Sequence, residues 1–452
     1  MSLAARRVLY IFFMLAFFIT TPLVMLYAAG YKLTLNSSHP FQIQKTGMLI
    51  LNTKPEGAKV YLNGEPQQFF INKFFSKNEN FIATPAKIKN LLPGEYDVRI
   101  SLPGYWDWQK KLTVKAGEST YAEDVYLFRN NLPIPLLIEE IRESTISPNR
   151  KFLAVKTADS VKIINLDNEE VISFDNKADN APILWSPDGK KIIIGNYLYG
   201  ANGEMTDLEH ITENSAVDFR WDYKNNKVNY LIRENGLISI KNYDFFTLSS
   251  KTLFTSKPED EIADYFVKNN DIYILNRKKD MTKLNIYNQK NLIASIELIN
   301  SSDYSFASAD NGYLNLTNNS LQKIYLISPE PNFQIEEIID ANKISWINGS
   351  QYITATDFEI WLNDIRTKDK FLLTRISSPI KEIIWHPSNN YIIFTTDSYI
   401  STIELDNREK RNITELIKLE HISDTTYNKN GDALYFRTRI GNQEGLYKLV
   451  IN

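Results

Sequence analysis

The strongest constraint on this chain is a turn motif that recurs about every 40 residues through its last two thirds. The clearest copy is Trp185-Ser186-Pro187-Asp188-Gly189-Lys190-Lys191, entered by Ile183-Leu184 and left by Ile192-Ile193-Ile194. A second runs Ile383-Ile384-Trp385-His386-Pro387-Ser388-Asn389-Asn390, followed by Tyr391 to Phe394. Weaker copies sit at Ile146-Ser147-Pro148-Asn149-Arg150, Trp221-Asp222-Tyr223, Trp346-Ile347-Asn348-Gly349 and Tyr427-Asn428-Lys429-Asn430-Gly431, with eroded ones near Phe266 and Ala307. Steps between these anchors run from 36 to 45 residues. That period is the length of one four-stranded blade of a β-propeller.

The residue types fit such a unit. A short apolar strand ends in a large ring that wedges between sheets, Ser-Pro-Asp-Gly turns the chain, and a strand rich in β-branched residues returns. Two more strands follow across a polar turn, as in VKIINLDNEEVISF and ISTIELDNREKRNITEL. The last unit stops at GLYKLVIN after a third strand, while an orphan strand, Ile134 to Ile141, precedes the first anchor. Pairing the two would seal a ring and remove the open sheet edges. The expected fold is therefore mainly β, with a propeller over 132–452. The anchors favour eight blades, and seven is the alternative because two units are eroded. The ring residues are assigned to blade packing and the Asp-Gly and Asn-Gly pairs to turns.

The N-terminus is of another kind. Val8 to Ala29 is 22 residues without a charge, which as a helix is ~33 Å, enough for the hydrocarbon core of a bilayer. Arg6 and Arg7 precede it, so the positive-inside rule keeps 1–7 in the cytoplasm and exports the rest. A cleaved signal peptide is the rival reading. It is disfavoured because the run is long and cleavage after Ala28 or Ala29 would set Leu26 or Tyr27 where a small residue belongs. The expectation is a single-pass anchor over 8–29 with 30–45 as a juxtamembrane linker.

From Thr46 the texture turns to short alternating runs broken by Lys54-Pro55-Glu56-Gly57-Ala58, Asn63-Gly64, Leu92-Pro93-Gly94, Pro103-Gly104 and Ala116-Gly117. KPEGAKVYLNG, TPAKIKNLLPGEYDVRISLPGY and KLTVKAGESTYAEDVYLF together resemble the PEGA domain, whose core here is Pro55, Glu56, Gly57 and Ala58. The resemblance covers 46–128 and implies a compact β-sandwich-like module of envelope proteins, with no catalytic residues to carry over. Residues 67–81 (QQFFINKFFSKNENF) exceed the family pattern. Their aromatics Phe69, Phe70, Phe74, Phe75 and Phe81 either pack on the module or form an exposed patch, which Trp106 and Trp108 would extend. Alternation along a strand, one ring in and one out, is the simpler account of the two tryptophans. In the later units WSPDGKK is similar to the TolB-like propeller repeat, which implies an architecture that binds proteins, peptides or sugars.

Chemistry is sparse. There are no cysteines, which excludes disulfides and thiolate chemistry. The net charge of −3 supplies no field for nucleic acid, and no basic stripe with interleaved aromatics appears. No Gly-x-Ser-x-Gly, phosphate loop or dinucleotide fingerprint occurs. The four histidines, His39, His210, His386 and His421, form no metal motif and are assigned to surface or packing. Loop carboxylates Asp175, Asp179, Asp357 and Asp364 would make a Ca²⁺ site or an acid/base pair only if they met on one face. No catalytic, cofactor-binding or metal-binding residue is therefore assigned, and no cofactor is expected. The sequence favours a membrane-tethered extracytoplasmic scaffold that presents its propeller to an envelope protein, peptide or glycan. A glycan-active enzyme with paired carboxylates and a structural subunit of an envelope complex are the alternatives. The oligomeric state stays open.

Overall fold

An apolar helix begins at Leu3. The structure, a computed structural model, describes residues 3–36, 39–68, 81–178, 180–213, 215–223, 226–257, 261–268, 271–278, 281–307, 312–329 and 331–452. The chain divides into two units, one of Met1–Asn131 with Glu404–Thr414 and Asn452, the other of Leu132–Ile403 with Glu415–Ile451.

In the first unit the helix spans Leu3–Ala28, with Ala5–Ala28 long and apolar enough to cross a membrane. Pro22 lies inside it. Gly30, at φ 79°, ends it. The segment read as a linker is a hairpin in which Tyr31–Asn36 pairs antiparallel with His39–Lys45. Sequence pattern missed it because Leu33 and Ile43 are exposed, leaving no buried stripe to read.

Two small sheets follow. In one, Gly47–Lys54 pairs antiparallel with Ala86–Leu91 and parallel with Ser119–Tyr126. The other has the order Glu65–Pro66, Lys59–Leu62, Gly94–Ser101, Trp108–Val114. Their inner faces share one core, with Leu49, Leu51 and Val125 from the first and Val60, Val98, Ile100 and Leu112 from the second. Strand Trp108–Val114 alternates strictly between buried and exposed, as a half-buried strand should. Trp108 is thus a core residue, while Trp106 is half-buried. The aromatics Phe69, Phe70, Phe74 and Phe75 lie outside the described residues. Phe81 is described, and it sits half-buried beneath the Lys59 ammonium, 4.4 Å from its ring centre.

Lys110 occupies a buried position of that same strand, with a fully enclosed side chain. Its ammonium lies 2.8 Å from Glu404 and donates to the Asp406 carbonyl at 2.9 Å. Glu404 also accepts the Trp108 indole N–H at 3.0 Å and the Asn412 amide at 3.0 Å. A buried charge is tolerated only when paired and hydrogen-bonded in this way.

The second unit contains, among the described residues, eight four-stranded sheets. Their first strands are Glu143–Ile146, Leu184–Trp185, Ala216–Trp221, Ile262–Lys268, Tyr304–Phe306, Lys343–Trp346, Ile380–Trp385 and Glu420–Tyr427. First strands lie side by side from sheet to sheet. The sixth neighbours the seventh, the seventh the eighth, and the eighth returns to the first. The eighth sheet is composite, because Ile134–Leu137 pairs antiparallel with the chain's last strand, Gln443–Val450. Second strands are the most deeply buried elements, Tyr391–Thr396 along its whole length. The result is a β-propeller.

Candidate functional site

The first strands, which run nearest the propeller axis, wall a cleft of about 810 Å³ within the second unit. It reaches from the first sheet to the fifth, and its aromatic lining is Trp185, Phe219, Trp221, Phe266 and Phe306. The tryptophans end first strands, as the repeat predicts. Each indole N–H is spent on the preceding sheet, Trp185 donating to the Thr145 carbonyl at 3.1 Å and Trp221 to that of Leu184 at 2.9 Å. They are packing wedges, and the same packing leaves ring surface in the cleft. Phe266 and Phe306 stack with centroids 5.8 Å apart.

Acidic side chains on first strands stitch the sheets together. Glu143 accepts the Ile183 N–H at 3.1 Å, Glu382 that of Thr425 at 2.7 Å, and Asp424 that of Ser144 at 2.8 Å. Burial raises the Glu382 carboxyl above its ordinary value, outweighing the Thr425 N–H, and the Asp424 charge adds to the rise. A raised native value means the folded protein holds this proton more tightly than the unfolded chain. Stability from this group is therefore full at low pH and falls as pH climbs from the ordinary glutamate value through the raised one. Glu382→Gln keeps an acceptor for Thr425 without the charge. It is expected to melt ~1–3 °C above the native chain at pH 8, with the gap closing at pH 4. A gap that does not change with pH would rule out the carboxylate as its cause.

Where the cleft crosses the third and fourth sheets, it is lined by Asp218, Arg220 and Asp264. A register shift between Val217 and Arg220, with Asp218 at φ 54°, re-aims the first strand there. Arg220 grips Asp218 with two N–H groups at 2.8 and 2.9 Å and reaches across to Asp264 and the Tyr265 carbonyl. Burial alone would lower the guanidinium's affinity for its proton, but Asp264 and Asp218 together raise it. The Tyr265 hydroxyl donates to the Asp218 carbonyl at 2.8 Å. The cluster's two carboxylates are both bonded to one guanidinium.

Arg150, on the first sheet's wall of the same cleft, is different. It sits at φ 55° in the turn Ser147-Pro148-Asn149-Arg150. The matching positions of sister turns are Gly189, Asn389 and Gly431, at φ 67°, 62° and 70°. The repeat thus uses glycine or asparagine there, since a left-handed backbone costs other residues roughly 1–2 kcal/mol. The guanidinium stacks on the Tyr427 ring at 3.7 Å and donates to the Tyr427 carbonyl at 3.1 Å. Among the described residues no carboxylate pairs with it. Burial lowers its affinity for its proton, and the Tyr427 ring offsets this only in part.

The carboxylates singled out from sequence do not form a site. Asp357 and Asp364 flank opposite ends of strand Glu359–Asp364, ~20 Å apart for an extended chain. Asp364 caps its own turn by accepting the Arg366 and Thr367 N–H groups, which holds its carboxyl below the ordinary range. Asp357 accepts the Asn342 amide. Asp175 ends the outermost strand of the first sheet, and Asp179 lies outside the described residues. Among the described residues no three His, Asp or Glu side chains converge as metal ligands would. His386 is buried and bonded to Ser388 and the Gly431 carbonyl, His421 is exposed beside Asp397, His210 is exposed in a short helix, and the His39 side chain lies outside the description.

Sequence reasoning passed over Arg150, Asp218, Arg220 and Asp264. Two signals were present. Asp218 and Arg220 stand two apart on a strand, and Arg150 fills the slot that Gly189 and Gly431 fill in sister turns.

The PEGA domain family matches residues 78–125. The Pro55 to Ala58 core lies ahead of that span. No curated relative matches the chain. Among solved structures, a eukaryotic initiation factor is 14% identical, with 68% of this chain and 83% of that one covered at a TM-score of 0.46. The WD40 domain of SCAP from fission yeast is 9% identical, with 72% and 98% covered at 0.44. Dihydro-heme d1 dehydrogenase NirN, in complex with DHE, is 14% identical, with 70% and 76% covered at 0.45. A propeller carried with a PEGA domain fits a binding or scaffold role.

Proposed function

We propose that this chain is a membrane-tethered extracytoplasmic binding protein that takes a segment of an envelope protein, peptide or glycan into the central cleft of its propeller. The apolar helix Ala5–Ala28, with Arg6 and Arg7 at its start, supports a single-pass anchor with the globular units outside. The PEGA match and the TolB-like WSPDGKK turn support an envelope setting. The observation that carries the reading is the cleft itself, open, walled by rings, and set with charged groups held in fixed positions. Such a surface suits recognition. A glycosidase needs one carboxyl free to donate a proton, and Asp218 and Asp264 are both bound to Arg220. A purely structural role would rest on residues 67–81, most of which lie outside the described residues.

Crosslinking of the intact protein in its membranes tests this. Ser305→Trp places a bulky ring at an exposed position of the cleft wall without removing a core contact. It is expected to cut capture of the native ligand by about tenfold or more, the scale of ~1.4 kcal/mol. Equal capture by both proteins would remove the cleft from consideration. Topology is tested separately. With no native cysteine, Glu204→Cys gives a single thiol, expected to react with an impermeant maleimide in sealed right-side-out vesicles.

A further inference from the structure

We infer that Arg150 is the anchor for a carboxylate of a peptide ligand, a step that rests on the cleft being the ligand site. Three observations converge on this residue. It occupies a left-handed turn position that sister repeats give to Gly189, Asn389 and Gly431. Its guanidinium is held by the Tyr427 ring and carbonyl, with no carboxylate partner among the described residues. And it lines the cleft. Both its backbone strain and its uncompensated, partly buried charge work against the folded state, whose sister turns avoid them. A ligand oxyanion would complete the site, because a planar guanidinium fixed by stacking presents its remaining N–H groups to a planar carboxylate. Burial already lowers this arginine's hold on its proton, so a bound anion gains from meeting a poorly hydrated cation.

The rest of the cleft favours a peptide as the source. Two carboxylates on one guanidinium leave the Asp218–Arg220–Asp264 cluster with one net negative charge. The cleft thus offers a cationic point and an anionic one, with rings in its walls. A neutral glycan would leave both unanswered, and an acidic glycan would answer only the first. A peptide with an acidic group, an apolar body and a basic group answers both.

The test uses the full chain in detergent micelles and three probes, N-acetylphenylalanine, its uncharged amide, and glucuronate. The native protein is expected to bind the acid at least tenfold more tightly than the amide. Arg150→Gly should abolish that preference, since it removes the guanidinium while suiting the left-handed turn. Arg150→Asn, the residue used at position 389, should behave alike. Equal binding of acid and amide by the native chain, or a preference that survives in both variants, overturns the inference. So does stronger Arg150-dependent binding of glucuronate, which would make the ligand a sugar acid. If Ser305→Trp abolishes capture from membranes while Arg150→Gly captures normally, the cleft stands as the ligand site and the role of Arg150 falls.

Discussion

A chain ending at Gly441 is expected to lose the cooperative unfolding of its propeller. The missing segment, Gln443–Val450, is an interior strand of the eighth sheet, bonded to Ala433–Ile440 on one side and Ile134–Leu137 on the other. Leu446, Tyr447 and Leu449 within it are almost wholly buried. The approach is close, since a side chain at Gly445 would collide with the Leu137 carbonyl. Without this strand the ring has two open edges, and Arg437 loses the frame in which it reaches the Ile141 carbonyl. Melting followed by circular dichroism should show a broad transition or a midpoint lowered by more than ~10 °C, several times what a single deleted contact does. A sharp transition within ~2 °C of the intact chain would mean that seven sheets suffice and closure is dispensable.

Lys110→Met is expected to be the most damaging single substitution in the first unit. The buried ammonium is matched by Glu404 and Asp406. Methionine fills much the same space but leaves Glu404 enclosed with only the Trp108 and Asn412 N–H groups. Removing one partner of a buried pair costs about 3–5 kcal/mol, whereas removing both is often nearly neutral. Amide exchange in strand Trp108–Val114 should therefore accelerate on the order of a hundredfold or more. Adding Glu404→Gln should restore most of the protection. If the double variant exchanges as fast as the single one, lost packing is responsible and the charge pairing is not.

How much of this was legible depends on where each feature's cause lies. The repeat was readable because its turns have local causes. Ser186 and Asp188 bond within their own turn, with the Ser186 hydroxyl 2.7 Å from the Asp188 carboxylate, so the chemistry is written in neighbouring letters. The orphan strand was readable because its partner was conspicuously missing from the last unit, although the paired part is shorter, Ile134–Leu137. The PEGA turns were readable for the same local reason. The cleft was not. Its charged cluster depends on a register shift at Val217 to Arg220 and on a contact spanning 44 residues, from Arg220 to Asp264. Neither leaves a mark in adjacent residues. Arg150 stands in plain view within a weaker copy of the turn, but the sequence does not show that its side chain stacks on Tyr427, 277 residues away.

The pairing of Ile134–Leu137 with Gln443–Val450 also sets a timetable for biogenesis. The earlier strand leaves the ribosome roughly 300 residues before its partner. At ~5–20 residues per second that is a wait of ~15–60 s. Through that interval its N–H and C=O groups lack the ladder partner they have in the folded sheet, leaving an open edge. A protein built this way depends on how quickly its own tail arrives, and slow translation would be felt first as misassembly at that seam.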